Sequence, residues 1–256
     1  MYNDPLHDWQ EWGIGLNQRP ELLRELSRGR TNKHYLLDAE GHRVVLRRNN
    51  PASEVLGIER AREEIILRAV SDAGLFPKIL SYSLKNQVLI TEFIDGKFWD
   101  KSSVLQKDRR LQLVEALRNI HTIQLDLPGF NYLEHAEKYW NTLTELKYSP
   151  GKALEQRHQH YREKVATLEP TRQLCHHDPI PGNIIASSGQ LYFLDWEYSG
   201  CGWPVFDFAA LAQDWALDSK LLCKTANLDE AAFADAQLLY SHLCELWELV
   251  RQYQGS

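Results

Sequence analysis

The stretch His176-His177-Asp178-Pro179-Ile180-Pro181-Gly182-Asn183 constrains this chain more than any other segment. Two prolines and a glycine so close together exclude both an α-helix and a central strand, because proline has no backbone N–H to donate. The segment must be a stiff loop. It presents Asp178 and Asn183, five positions apart, as its polar groups. Twelve residues after Asn183, the run LYFLDW (191–196) reads as a short strand reaching Asp195. A proline-stiffened loop beside such a strand holds polar side chains to the narrow tolerance that catalysis by positioning requires.

The rest of the chain supplies a scaffold of two halves. With 256 residues, the protein is long for one simple domain and short for two ordinary ones. Its 43% hydrophobic and 25% charged residues are ordinary globular values, which excludes disordered and low-complexity classes. Residues 33–38 and 42–48 flank Ala39-Glu40-Gly41 and read as a β-hairpin. Residues 58–73 place Ile58, Ala61, Ile65 and Ala69 near helical spacing, with Gly74 as a C-terminal cap and Pro77 blocking continuation. Residues 87–93 read as a strand ended by Asp95-Gly96. Beyond it, 105–123 are helical with Leu113, Leu117 and Ile120 on one face, 132–169 mostly helical and polar, and 228–252 helical again. The order predicts an α+β fold. Residues 1–95 form one lobe, a small antiparallel β-sheet plus one helix, and residues 96–256 form a mainly helical lobe.

Charge and cysteine usage narrow the function. The net charge is −6, against a nucleic-acid-binding face. Residues 173–219 contain no Lys or Arg but six acids: Asp178, Asp195, Glu197, Asp207, Asp214 and Asp218. Such a local field attracts cations. No apolar run reaches the roughly 18–20 residues of a bilayer span, and the N-terminus lacks the basic start and apolar stretch of a signal peptide. A cytoplasmic protein with no membrane partner is expected. Cys175, Cys201, Cys223 and Cys244 are irregularly spaced and read as buried free thiols. His158 and His160 read as solvent-facing in a polar helix, and His121 as structural. No H-E-x-x-H, Walker A or G-x-S-x-G pattern occurs.

The pattern H-x-D-x-x-x-x-N followed by a strand reaching Asp resembles the catalytic loop and metal-binding Asp of the protein-kinase-like fold. HHDPIPGN with LDWEYSG looks like the aminoglycoside phosphotransferase and choline/thiamine kinase superfamily. The resemblance covers roughly residues 22–215. It implies a bilobal kinase-like fold and an enzyme that uses ATP and Mg²⁺ to phosphorylate a small alcohol. Asp178 would receive or orient the hydroxyl proton, and Asn183 and Asp195 would hold Mg²⁺ with hard oxygen ligands. Gly29, Thr31 and Asn32, in LSRGRTNKHY, correspond to the loop over the nucleotide phosphates. Arg28 stands where relatives often have a second glycine. Arg47 corresponds to the phosphate-binding cation, with Glu63 or else Glu64 as its ion-pair partner. Glu92 and Phe93 mark the adenine-binding hinge.

Only eleven residues separate Asp195 from Asp207, too few for a long activation segment with a peptide dock, so the acceptor is a small molecule. Trp196, Tyr198, Trp203 and Trp215, with Glu197 nearby, suit a cationic alcohol of the thiamine, choline or ethanolamine kind. Alternatives are an aminoglycoside-type O-phosphotransferase and a non-catalytic kinase-fold nucleotide-binding protein.

Overall fold

The computed structural model describes residues 4–26, 31–50, 56–168 and 172–254. Strands β1 (Glu21–Leu26), β2 (Lys33–Ala39), β3 (His42–Arg48), β4 (Ile79–Ser83) and β5 (Val88–Glu92) form one antiparallel sheet in the order β1-β2-β3-β5-β4. Ala39 pairs with His42 across a two-residue turn in which both Glu40 and Gly41 have positive φ, the primed geometry that matches strand twist. Strand alternation decides what β3 does. Val44 and Leu46 join a core with Leu6 and Trp12, contributed by the segment before β1. Arg48, on that same face, donates to the Pro5 carbonyl and pairs with Asp8. Arg47 points to the opposite face, against helix α1 (Arg60–Asp72).

Helix α1 is rotated relative to the face expected from its apolar spacing. Ala61 and Ile65 are exposed, whereas Glu63, Ile66, Leu67 and Val70 are buried. The ion pair explains this rotation, since Glu63 must face Arg47, and 66, 67 and 70 follow it inward at helical spacing. Gly74 follows the helix with φ +72°, a left-handed value that favours glycine.

The second half is mostly helical: α2 (Lys107–His121), α3 (Tyr132–Glu145), α4 (Lys152–Val165), α5 (Pro204–Asp214), α6 (Ser219–Ala226) and α7 (Glu230–Gln254). The polar stretch after residue 132 is two helices, broken between Leu146 and Gly151 with Lys147 left-handed. Short strands interrupt the helices. β6 (Lys97–Phe98), β8 (Ile184–Ser187) and β9 (Gln190–Phe193) form one small sheet, and β7 (Gln173–Cys175) pairs with β10 (Gly200–Gly202). The loop 176–183 is thus suspended between β7 and β8. His158 is buried rather than solvent-facing: its ring stacks on Trp140 at 4.1 Å, and its Nδ1 lies 3.1 Å from His242 Nε2. His160 is exposed. Among the described residues, no helix is long and apolar enough to cross a membrane.

Candidate active site

The loop from His176 to Asn183 is held from behind by one carboxylate. Asp207, on the first turn of α5, accepts the backbone N–H of His176 (2.9 Å) and of His177 (2.7 Å) and the Nε2–H of His121 on α2 (2.9 Å). Burial alone would raise this carboxyl, but His121 holds it below the usual range. Trp215 donates its indole N–H to the Pro179 carbonyl at 2.7 Å. His176 donates from Nε2 to the Leu194 carbonyl, which leaves Nδ1 to accept the Asp178 N–H. His177 is left-handed (φ 64°), and its ring is fixed at both nitrogens. Nδ1 donates to the Tyr198 carbonyl, and Nε2 accepts from the Tyr132 hydroxyl. His176, His177 and Pro179 are therefore each anchored by a group from another element, and Asp178 is held between them by its N–H on the His176 ring.

This anchoring presents Asp178 and Asn183 together. Asn183 donates from Nδ2 to Asp178 Oδ2 at 2.9 Å, and its own carbonyl accepts the Leu194 N–H at 2.7 Å. Asp195 follows β9 in the left-handed region (φ 61°), so the chain turns sharply at the carboxylate. Its Oδ1 is buried and has no hydrogen-bond partner. Burial, then the charges of Asp195, Asp214 and Glu197, push the Asp178 carboxyl well above the carboxylate range. Burial and Glu197 push Asp195 up to about 8, against Arg47. The half-buried Asp178 and Asp195 carboxylates, one with an unpartnered oxygen, are hard donors of the kind that would suit a divalent cation such as Mg²⁺.

On the sheet side, Arg47 forms a bidentate pair with Glu63, at 2.6 and 2.9 Å. Burial alone would lower the proton affinity of Arg47, but Glu63 raises it. Glu64 instead pairs with Arg68 on the helix surface, which settles the choice between the two glutamates. Asn32 is buried beside Glu197, and Thr31 lines the cavity described below. Gly29 lies outside the described residues. The N–H groups of Glu92 and Phe93 are taken by the carbonyls of Lys78 and Arg43, so these residues mark a position at the hinge without offering their backbone donors.

A cavity of about 530 Å³ opens beside Asp178, Asn183 and Asp195. Its walls are aromatic: Phe130, Tyr132, Tyr139, Tyr198, Phe206, Tyr240 and Trp247. Among the described residues no Lys or Arg lines it, and Asp214 and Glu248 add negative charge. Tyr240 donates to Asp214 at 2.6 Å, and Trp247 donates from its indole to the Tyr198 hydroxyl at 2.9 Å.

Of the aromatics expected from sequence to meet a substrate, Tyr198 lines this cavity and the three tryptophans do not. Trp196 is fully buried, with its indole N–H on the Phe193 carbonyl. Trp215 is buried behind the loop that it braces. Trp203 is half-buried and lies against Tyr132, 5.6 Å between rings. Their position next to the motif reflects core packing under it. Glu197 lines the cavity, but its Oε2 is engaged by Asn32 at 2.8 Å. The walls that sequence reasoning missed come mainly from α3 and α7. Their signal was the seven-residue spacing of Tyr132 with Tyr139 and of Tyr240 with Trp247, which puts each pair on one helix face.

The family model described as "Phosphotransferase enzyme family" matches residues 22–251. Protein LicA of Haemophilus influenzae is 24% identical over 251 residues, covering 89% of this chain and 73% of that protein. Ethanolamine kinase 1 of Mus musculus is 24% identical over 257 residues, covering 93% and 68%. Among solved structures, choline kinase LicA from Streptococcus pneumoniae superposes with a TM-score of 0.78 at 25% identity, covering 92% of this chain and 88% of that one. With a buried cation–carboxylate pair on the sheet, a braced Asp–Asn loop and the family pattern matched across nearly its whole length, the chain belongs to the phosphotransferase enzyme family and is a small-molecule kinase.

Proposed function

We propose that the protein transfers the γ-phosphoryl group of ATP to the hydroxyl of a small cationic alcohol in the cytoplasm. In this reading residues 1–95 carry the nucleotide and residues 96–256 carry the acceptor. The observation that supports it most is the cavity itself. Asp178, Asn183 and Asp195 line it together with aromatic faces, and among the described residues no Lys or Arg lines it. Aromatic faces attract an ammonium through their quadrupoles, and Asp214 and Glu248 add charge of the right sign.

Asp178 orients the acceptor hydroxyl and takes its proton as the new oxygen–phosphorus bond forms and the bridging bond to the β-phosphate breaks, with ADP as the leaving group. Asn183 and Asp195 would hold Mg²⁺, which supplies positive charge to the phosphate oxygens. Arg47, fixed by Glu63, would offer its remaining N–H groups to phosphate oxygens. Thr31 lines the same cavity, and Asn32 binds Glu197 on its wall.

Choline, ethanolamine and thiamine each combine a cation with a primary hydroxyl. The test is ADP release from Mg-ATP with each of them and with kanamycin. The expected result is turnover with one or more of the first three. A response to kanamycin alone would replace this acceptor class by an aminoglycoside. No response to any alcohol would favour a nucleotide-binding protein without turnover.

A further inference from the structure

Arg60 begins α1 one turn before Glu63, and its guanidinium reaches three partners from three parts of the chain. Nη1 lies 2.7 Å from Glu63 Oε2 and 3.4 Å from Glu197 Oε2. Nη2 donates to Asn32 Oδ1 at 2.8 Å. Asn32 closes the triangle by donating from Nδ2 to Glu197 Oε2 at 2.8 Å. It also accepts the Asn50 N–H, which ties the end of β3 to the same point. Asn32 stands just before β2, Arg60 on the helix, and Glu197 two residues beyond Asp195. One buried fork therefore joins the start of β2, the helix that orients Arg47, and the turn that carries a candidate metal ligand.

Building on the phosphotransfer reading above, we propose that Arg60 is a positioning residue: a clasp, closed through Glu197 and Asn32, that aligns the phosphate-binding strand and helix with the Asp195 turn before nucleotide arrives. Charge bookkeeping leads here. Glu63 and Glu197 are both almost fully buried, and Asp195 adds a third carboxylate between them and Asp178. Arg47 directs both terminal nitrogens at Glu63, and among the described residues no ion pair joins it to Glu197. Arg60 is the cation that reaches it. Without Arg60, Glu197 keeps only the neutral Asn32 amide among these contacts, and a buried carboxylate with one neutral partner relaxes outward or drags its turn with it. The planar fork matters as well as the charge. A lysine offers one point of attachment, whereas Glu63, Glu197 and Asn32 are met by two different nitrogens of one rigid group. The same geometry assigns Glu197 to the clasp, not to the acceptor wall.

The test is calorimetric titration of the full chain with Mg-ADP, for wild type, Arg60→Gln, Glu197→Gln and the double variant. Arg68→Gln, an exposed pair on the same helix, is the control. Each single variant is expected to weaken ADP binding about ten-fold, with the double no weaker than the worse single, because the two residues act as one unit. Arg60→Lys keeps the charge without the fork and is expected to recover only part of the loss. It also serves as the reporter if Arg60→Gln does not fold by circular dichroism. Under saturating ATP, the acceptor KM of Arg60→Gln stays at the wild-type value, a split that general destabilisation would not produce. ADP affinity of Arg60→Gln within about two-fold of wild type overturns the clasp. So does a loss in Glu197→Gln that excess Mg²⁺ restores while Arg60→Gln is normal, since Glu197 is then a metal ligand. Wild type that binds ADP but phosphorylates no alcohol would sink the kinase reading and leave the clasp measurable. Wild type that binds no ADP sinks both.

Discussion

Asp207→Asn isolates what the proline-rich loop owes to its support. Asp207 accepts three hydrogen bonds, from the His176 and His177 amides and from the His121 ring, at 2.7 to 2.9 Å, and is fully buried. Bonds to a charged acceptor contribute roughly 1.5–3 kcal/mol each. Asparagine keeps the shape, but it removes the charge and turns one oxygen into an NH₂ that faces a donor. Losing one such bond and leaving its donor buried and unpaired costs together about 3–5 kcal/mol. For a chain of this size, at about 2–4 °C per kcal/mol, the melting temperature should fall by roughly 6–20 °C. Because the same two amides fix the backbone on which Asp178 sits, turnover should also fall at 20 °C, where the variant is still folded. Differential scanning calorimetry and initial rates of ADP release read the two effects. A melting temperature within about 2 °C of wild type, with normal turnover, would show that the loop is stiff by its prolines alone and refute this reasoning.

Three further outcomes follow from other parts of the molecule. Glu63→Gln leaves Arg47 buried without its partner and should cost about 3–5 kcal/mol in chemical denaturation, whereas Glu64→Gln, on the surface, should stay within about 0.5 kcal/mol. Trp247→Ala removes one aromatic wall and should raise the KM for a quaternary ammonium acceptor by about ten-fold or more with little change in the ATP KM, because cation–π contacts in desolvated sites reach about 2 kcal/mol; an unchanged acceptor KM would remove that wall from the binding site. The last concerns pH. Burial, then His158 and Arg157, hold His242 down at about 4, below its ordinary 6.5. A depressed histidine contributes stability that is complete above pH 6.5 and lost as pH falls toward 4, since the unfolded chain takes up the proton first. The difference in urea midpoint between wild type and His242→Gln should therefore narrow between pH 7 and pH 4.5, and a constant difference would contradict the buried neutral pair with His158.

The parts of this molecule that local chemistry dictates were readable in its sequence, and those that depend on distant packing were not. The loop 176–183 follows from its prolines and the hairpin from Glu40-Gly41, while the family resemblance narrows the partner of Arg47 only to Glu63 or Glu64, and the packed helix decides between them. Strands β1 and β4 carry no clean alternation of buried and exposed residues, β1 being almost wholly exposed at a sheet edge and β4 half-buried throughout. The helix face of α1 was misassigned because apolar spacing at 58, 61, 65 and 69 competes with one buried glutamate, and the ion pair wins. The tryptophans near the motif looked like substrate contacts because sequence proximity cannot separate the floor under a site from its walls. The cavity walls on α3 and α7 come from residues tens of positions away on either side. Arg60 showed no signal at all, since its role exists only once Asn32 and Glu197 are brought together across 165 positions.

The central claim is acceptor-dependent phosphoryl transfer with Asp178 as the proton-accepting group. Its most direct measurement is the formation of the phosphorylated alcohol from Mg-ATP by wild type and by Asp178→Asn, alongside ADP affinity for both. The account predicts product with a cationic primary alcohol for wild type, none above background for Asp178→Asn, and similar ADP affinity in the two. Product formation by Asp178→Asn at the wild-type rate would contradict it.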